Sequence, residues 1–384
     1  MQTALRLAGQ ALCLSNPNPR VGCVLVSGDN VELGEGHTQP VGGPHAEVMA
    51  LRDAQAKGNL VSGATAFVTL EPCSHHGRTP PCCEALVEAG IAKVVVATED
   101  PNPLVAGRGL ARLRAAGVEV ELLPTDSDTA MASRELNIGF FSRMVRGTPW
   151  VRMKMAASLD GTSALVNGAS QWITGEAARA DGHAWRARAC AVLTGIGTVL
   201  QDDPRLDARL PKATRQPHLV IVDSALSTPL SARLFEPLAS GLHRQVWIYH
   251  AVLDASKETA LAKRGALLVH MPGSNNKVDL AALVRDLGQR EVNELHVEAG
   301  HKLNGSLLRE GLVDELLLYL APKLLGQGVG ISNFGPLQRL QDGLTLRFNS
   351  VDQVSDDLRI VARVHGRDVF LHGDSNQRSQ TKTL

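Results

Sequence analysis

Two short stretches of the chain carry residue types suited to metal chemistry. The first is His45-Ala46-Glu47. The second is Glu71-Pro72-Cys73, continued by Ser74-His75-His76-Gly77-Arg78-Thr79-Pro80-Pro81-Cys82. One imidazole and two thiols make a three-ligand set of the N/S type that zinc takes when it keeps a fourth position for water; a closed structural site normally needs four protein ligands. An open position implies catalysis, and catalysis there needs a proton carrier that does not bind the metal. Glu47 is the candidate. Residues two apart on a helix do not share a face, so His45 and Glu47 reach one metal only if His45 stands at the helix start. Gly42-Gly43-Pro44 suits such a start. The competing readings are a structural zinc knuckle, or a histidine and cysteines packed in a core without metal. Three ligands with a nearby Glu and Pro72 before the first thiol, in this order, favour catalysis. Cys83, beside Cys82, is an alternative ligand.

The elements that must hold these residues can be read from periodicity. Ala4, Leu5, Leu7, Ala8, Ala11 and Leu12 mark a helical face, ended by Asn16-Pro17-Asn18-Pro19. Residues 21–26 are a β-rich run, and Gly28-Asp29-Asn30 makes a hairpin turn. After His45 a helix runs to a stop at Gly58, and a strand over 64–70 delivers Glu71-Pro72-Cys73 at its C-terminal end. Cys82 begins a second helix, ending near Gly90. Ligands at a strand end and two helix starts suit an open α/β sheet, whose sites form outside the carboxyl ends of the strands. Further βα alternation follows: a strand at 94–97, a helix at 110–115, a strand at 118–122 and one last helix over 130–144. Arg146-Gly147-Thr148-Pro149 is the linker, which gives a first domain of residues 1–146 and a second of 149–371. Residues 372–384 are polar and read as a disordered tail.

Composition narrows the partners. Lysine plus arginine equals aspartate plus glutamate at 39 each. A polynucleotide-binding protein usually shows a basic excess, so a small charged substrate is the better match and no nucleic acid is expected. No run approaches the ~18 apolar residues of a membrane span, and the periodic N-terminus reads as an amphipathic helix rather than a signal peptide. No membrane partner is expected. Cys13, Cys23, Cys83 and Cys190 are then reduced, buried thiols of a cytoplasmic protein.

In the second half, residues 189–193 form an apolar strand running into Gly195-Ile196-Gly197-Thr198, and 295–297 run into Glu298-Ala299-Gly300 before a helix. Both place glycines where backbone can approach a ligand, and a helix start offers free N–H groups to phosphate. Many such turns are merely tight, but two in one domain favour a nucleotide. Gly326-Gln327-Gly328-Val329-Gly330 reads as a loop.

The order H-x-E, then P-C and a second cysteine, is the signature of zinc deaminases acting on nucleobases, although their second thiol ordinarily follows after two residues rather than eight. The inserted Ser74-to-Pro81 segment closely resembles the deaminase half of the bifunctional riboflavin-biosynthesis deaminase/reductase family, as does Asp100-Pro101-Asn102-Pro103. That family's spacing favours Cys82 over Cys83. Trp150 to Gly161, Ser170-Gln171-Trp172-Ile173-Thr174, Arg186 and 195–206 resemble the reductase half, so the likeness covers almost the whole chain. The resemblance implies an α/β protein with a cytidine-deaminase-like α/β/α domain followed by a dihydrofolate-reductase-like α/β domain. It implies zinc and NADPH, and a phosphorylated pyrimidine, 2,5-diamino-6-ribosylamino-4(3H)-pyrimidinone 5′-phosphate, that is deaminated and then reduced from ribosyl to ribityl. A homo-oligomer, dimer or tetramer, is expected.

Carried over position by position, the resemblance assigns His45, Cys73 and Cys82 to zinc and Glu47 to catalysis. It assigns Asn18 to the substrate ring and Arg78 to its phosphate, leaving His75 and His76 as pocket wall. It gives the cofactor Ala156, Trp172, Thr198, Asp202, Ser224, Gly300, His301, Lys302, Leu303, Asn304, Gly305 and Ser306. To the substrate of the reductase it gives Lys154, Ser170, Arg186, Leu206, Arg209 and Glu298, with the two arginines suited to phosphate. Only the first two residues of Asp223-Ser224-Ala225-Leu226 match their family motif, which bears on Ser224. Two rival functions remain: a nucleic-acid editing deaminase with an appended domain, and a deaminase whose second half is a non-catalytic oligomerisation domain.

Overall fold

The computed structural model describes residues 1–74, 81–103, 105–211, 213–238 and 241–372, to which the following statements apply. It divides into two compact units: Met1–Gly147 joined by the segment from Val369, and Thr148–Asp368.

The first unit is built from α1 (Gln2–Gln10), β1 (Gly22–Val26), β2 (Glu32–His37), α2 (Ala46–Ala56), β3 (Thr65–Val68), α3 (Cys82–Glu88), β4 (Lys93–Val96), α4 (Arg108–Ala115), β5 (Glu119–Leu122), α5 (Asp128–Leu136) and α6 (Ile138–Arg146). Its five-stranded sheet has the order β2-β1-β3-β4-β5. The β1 strand is antiparallel to β2 and β3, whereas β3, β4 and β5 are parallel. Two glycines set how closely the helices lie on this sheet. A Cβ on Gly22 would fall 1.9 Å from the Ala4 carbonyl oxygen of α1, and one on Gly36 would fall 2.5 Å from that of Ala46 in α2. Glycine at 36 thus lets the first turn of α2 rest on β2 and fixes where His45 must stand.

The single helix expected over 130–144 is two helices. Asn137 breaks it, at φ −106° and ψ 19°. Its side chain accepts the Arg20 N–H at 2.7 Å and donates to the Arg20 carbonyl at 2.9 Å, pulling the backbone off the helical path. The turn Val369–Leu371, expected in the second domain, packs with α5 and α6 in the first, where Arg146 lies 5.1 Å from the Phe370 ring centroid. The expected tail begins at 372, but His372 closes this turn with its N–H on the Val369 carbonyl at 3.1 Å, and the residues from 373 lie outside the described ones.

The second unit contains β6 (Trp150–Ser158), β7 (Thr162–Leu165), α7 (Glu176–Arg188), β8 (Ala191–Gly195), α8 (Ile196–Asp202), β9 (His218–Val222), β10 (Val246–His250), α9 (Ala255–Lys263), β11 (Ala266–His270), α10 (Leu280–Gln289), β12 (Glu294–Val297), α11 (His301–Arg309), β13 (Glu315–Ala321), β14 (Gly328–Gly330), β15 (Leu346–Val354) and β16 (Asp357–Val364). Nine strands form one sheet in the order β11-β10-β9-β8-β12-β6-β13-β16-β15. From β11 to β13 all are parallel; β16 and β15 close the edge antiparallel. Both faces of the parallel part are covered. Leu193, Val220, Trp247 and Leu295 pack with Leu283 and Leu287 of α10 on one side, and Val192, Leu219, Ile221 and Ile248 pack with Leu261 of α9 on the other. That alternation is the period-two pattern of a strand buried on both faces. The chain moves outward from β8 to β11 and returns as β12 between β8 and β6. The reversal opens a crevice at the carboxyl ends of these strands, where ligands bind in open α/β sheets.

Gly326 to Gly330, expected as a loop, contains β14. It pairs antiparallel with β7, more than 160 positions earlier, through partners such as Val329 and Ala164. Gly328 is needed for this approach, since a Cβ there would lie 2.4 Å from the Ala164 carbonyl oxygen.

Candidate active sites

His45 is the N-cap residue of α2, with extended backbone at φ −77° and ψ 170°, and Glu47 lies in the first helical turn. This is the arrangement the two-residue spacing demands: the chain is still turning at His45, so both side chains reach the same point. Cys73 follows the end of β3, and Cys82 opens α3 after Pro81, whose fixed φ suits the residue before a helix. Cys82 donates its backbone N–H to Cys73 Sγ at 3.4 Å. His45 Nδ1 lies 3.6 Å from Cys73 Sγ and 3.2 Å from Cys82 Sγ, and all three donor atoms fall within 4.8 Å of one another. Around tetrahedral zinc, N and S donors stand about 3.6 Å apart, so the chain folds to a cradle of the right size and chemistry. Cys83 is not in the set; its backbone N–H instead donates to the Cys73 carbonyl at 3.2 Å.

The electrostatics suit this chemistry. Hydrogen bonding from Cys82 and then His45, against the opposing effect of burial, brings the Cys73 thiol down to about 4. The Cys82 thiol is pushed up by its bond to Cys73 and by burial. Glu47 is 3 % exposed; burial, and then the neighbouring charge of Cys73, push its pKa up to about 7. A carboxyl held near neutrality can take up and release a proton at working pH.

Two acidic residues beside this cradle had no role assigned from sequence. Glu71 accepts backbone N–H groups from Gly109 (2.8 Å), Gly107 (2.9 Å), Asp100 (3.2 Å) and Leu110 (3.3 Å), and so ties the start of α4 to the strand end that carries Cys73. Asp100 is buried and its pKa is pushed up to about 7 by burial, with the charges of Glu71 and Cys73 adding to the shift. The prolines flanking Asp100 and Asn102 are the signal that marks this loop. Asn18 lies in the turn between α1 and β1, its N–H bonded to the Ser15 carbonyl at 2.8 Å. Arg78, with His75 and His76, lies outside the described residues.

In the second unit a cavity of about 630 Å³ opens at the crevice. Lys154 and Ala156 line it from β6, Ser170 and Trp172 from the loop after β7, and Arg186 from α7. Thr198, Asp202, Leu206 and Arg209 line it from α8 and the following loop; Glu298, Gly300, His301 and Asn304 line it from the end of β12 and the start of α11. Five of the expected cofactor residues stand elsewhere. Ser224 Oγ accepts the Val278 N–H at 3.2 Å. Leu303 packs into the core and the Ser306 hydroxyl donates to the Lys302 carbonyl within α11, neither wall of the cavity. Gly305 faces the Asn333 carbonyl, which would lie 2.1 Å from a Cβ, and Lys302 is exposed outside the lining. Side chains on one face of α11 meet the cavity, and of the segment 300–306 it is Gly300, His301 and Asn304 that line it. Sequence reasoning missed Ser163 and Val329, which the β7–β14 ribbon brings to the wall, and Arg205, Asp207 and Arg233 on the far side.

The polar floor of the cavity centres on Glu298, which receives Arg186 as a fork, Nε to Oε1 at 2.7 Å and NH2 to Oε2 at 2.9 Å. Burial works to raise the Glu298 pKa, but the Arg186 charge and the His296 contact outweigh it and hold the group well below the usual carboxylate range. Burial lowers the Lys154 ammonium from its usual value, with Arg186 acting the same way and Glu298 opposing. Trp172, 64 % exposed, carries the Arg179 guanidinium 4.6 Å from its ring centroid.

A half-buried N/S cradle with a buried acid beside it on one unit, and a polar cavity at a sheet reversal on the other, describe an enzyme with two sites. The comparisons agree. Residues 1–98 match the cytidine and deoxycytidylate deaminase zinc-binding region, and residues 149–360 match the RibD C-terminal domain. The chain is 43% identical over 374 residues to the riboflavin biosynthesis protein RibD of Escherichia coli, covering 93% of this chain and 96% of that one. It is 38% identical to RibD of Aquifex aeolicus, covering 94% and 96%. Among solved structures, RibD of Acinetobacter baumannii is 40% identical with a TM-score of 0.83, covering 94% and 97%. A diaminohydroxyphosphoribosylaminopyrimidine deaminase/5-amino-6-(5-phosphoribosylamino)uracil reductase of Thermotoga maritima is 33% identical with a TM-score of 0.81, covering 95% and 97%. The chain belongs to the RibD family of bifunctional riboflavin biosynthesis proteins. The fold expected from the sequence, cytidine-deaminase-like then dihydrofolate-reductase-like, is the fold found.

Proposed function

We propose that this chain deaminates 2,5-diamino-6-ribosylamino-4(3H)-pyrimidinone 5′-phosphate at a zinc site and then reduces the ribosyl chain of the product to ribityl with NADPH. The observation that carries the first half is the convergence of His45 Nδ1, Cys73 Sγ and Cys82 Sγ, with Glu47 in the helical turn that His45 caps. Zinc held by these three residues supplies a Lewis acid that brings water toward deprotonation near pH 7. Glu47 takes one proton of the attacking water and delivers it to the ring nitrogen, then takes the proton of the new hydroxyl and delivers it to the departing amine. The C–N bond breaks, ammonia leaves, and a carbonyl remains. One water is consumed for each ammonia released.

NADPH in the second cavity supplies the hydride. The chain's own residues hold the sugar phosphate: Arg186, fixed by its fork to Glu298, and Arg209 suit the phosphate. Lys154 and Glu298 also line the cavity, Lys154 being the proton-bearing group of the two and Glu298 staying ionised against Arg186. Ala156, Trp172, Thr198, Asp202, Gly300, His301 and Asn304 are the proposed cofactor wall, and the lining of the cavity supports that assignment. Asn18 and Arg78 remain proposed deaminase contacts.

A homo-oligomer, dimer or tetramer, is also proposed. Its support is β15, the edge strand, which leaves Phe348 69 % and Val351 54 % exposed where edge strands are usually guarded by charge. Among the described residues no helix is long and apolar enough to cross a membrane, and a cytoplasmic location is proposed. The test supplies the diaminopyrimidine phosphate with zinc and NADPH and follows ammonia release and cofactor oxidation separately. Both are expected, in that order. Retention of an oligonucleotide at low salt, with neither activity, would favour the nucleic-acid reading.

A further inference from the structure

The loop from Asp203 to Arg209 forms one wall of the reductase cavity, and its backbone is not relaxed. Asp203 and Leu206 adopt left-handed φ values of 40° and 52°, a region that costs free energy for any residue with a Cβ and persists only where the surroundings impose it. Leu206 is 7 % exposed and packs in the core with Val192, Val199 and Leu219, so that the turn it occupies is fixed from behind while the loop lines the cavity. The loop pairs with no strand, yet three successive carbonyls in it are each taken by a guanidinium. Arg244 donates to the carbonyls of Arg205 and Leu206, the latter at 3.0 Å, and Arg186 donates to that of Asp207 at 2.6 Å. Arg244 also reaches the Leu234 carbonyl at 3.3 Å, in the turn Arg233–Phe235, whose first N–H is bonded by Asp203 Oδ1 at 2.8 Å.

Arg244 is unusual in a second way. Its hydrogen-bond partners are all neutral carbonyls, and among the described residues no carboxylate pairs with it. Burial is the main influence on this group and brings its pKa down to about 10. A largely buried guanidinium whose hydrogen bonds all go to neutral groups, with only the nearby Asp207 charge set against burial and two neighbouring arginines, is costly, and a shape-matched apolar residue would avoid that cost if filling space were the only need. A fork with several donors is what three diverging carbonyls require.

We propose that Arg244 is a positioning residue of the reductase: by capturing the carbonyls of Arg205 and Leu206 it holds the left-handed turn at Leu206 in the place where the loop walls the substrate cavity. The proposal rests on the reductase reading. Its test uses the full-length protein with zinc and NADPH, and the deaminated intermediate as substrate. Arg244→Met is expected to raise KM for the intermediate about tenfold while kcat and the KM for NADPH move less than about threefold. Ammonia release from the diaminopyrimidine is expected to stay as in the parent. A role in general packing would not predict the second arm. Leu206→Gly makes the left-handed turn free of strain, so in that background Arg244→Met should change KM by less than about twofold. An undiminished tenfold effect in the Leu206→Gly background, or an effect that falls on NADPH instead, overturns the proposal. If Arg244→Met does not fold, Arg244→Lys, which keeps the charge but loses the fork, is expected to show the same split. Should the parent protein oxidise no NADPH, the reductase reading itself fails; the dissociation constant of the intermediate, by calorimetry, then carries the same comparison between backgrounds.

Discussion

Replacing Glu47 with glutamine removes one oxygen's ability to carry a proton and almost nothing else. The side chain is 3 % exposed and lies in the first turn of α2, so the amide occupies the same space. A positioned general acid or base is worth about 10²- to 10⁴-fold. Because Glu47 serves in both directions within one turnover, the loss should fall at the upper end, about 10⁴-fold in kcat, or ~5.5 kcal/mol on the barrier. Glu47 is outside the three-ligand cradle, so zinc content should not change. The assay has three readings on one preparation: ammonia released from the diaminopyrimidine phosphate, NADPH oxidised when the deaminated intermediate is supplied, and zinc per chain. Near-complete loss of the first, with the other two intact, is expected. A decline of less than about tenfold would show that another group moves the proton, and a parallel loss of zinc or of reductase activity would refute the reasoning from geometry.

Three further outcomes follow from the second unit. Glu298→Gln breaks the fork to Arg186 and leaves that guanidinium buried without its partner, so KM for the intermediate should rise by about ten- to a hundredfold, and the unit should lose ~3 kcal/mol by urea unfolding. His218 accepts the Gln245 N–H at 3.1 Å, and its pKa is brought down to about 4 by burial and then by Arg215. The folded chain therefore resists a proton that the unfolded chain accepts near 6.5, so this contribution is complete above pH 6.5 and is lost as pH falls toward 4. His218→Asn, which keeps an acceptor but does not titrate, should flatten the urea midpoint across that window by an amount worth ~1–2 kcal/mol, and a parallel profile would contradict it. Phe348→Lys on the edge strand β15 should lower the molar mass in size-exclusion light scattering to that of a smaller assembly, whereas an unchanged mass would place the contact elsewhere.

The convergence of His45, Cys73 and Cys82 was legible because their spacing is a constraint on one short region. The two-residue step from His45 to Glu47 required a helix start, and the glycines and Pro44 before it supplied one. Positions in the second cavity were less so, for a physical reason: they depend on partners far away in sequence. Asn137 breaks a helix of good local propensity because Arg20, 117 positions earlier, offers both a donor and an acceptor. The glycines at 326–330 lacked any strand signal because β14 exists only through its ladder with β7. Ser224 was assigned to a cofactor from its place in a motif, whereas the fold commits its hydroxyl to Val278. Leu206 gave no sign of a left-handed turn, since leucine has no preference for one and the guanidinium that meets its carbonyl, Arg244, stands 38 positions later.

Zinc itself offers the most direct test. X-ray absorption on the purified protein, with metal counted per chain, should give about one zinc with two sulfur ligands near 2.3 Å, one imidazole nitrogen and one light atom exchangeable with solvent. Removal of that zinc by a chelator should abolish ammonia release and leave NADPH oxidation standing. A third sulfur, a second imidazole in place of the exchangeable ligand, or a chain that deaminates without metal would contradict the account.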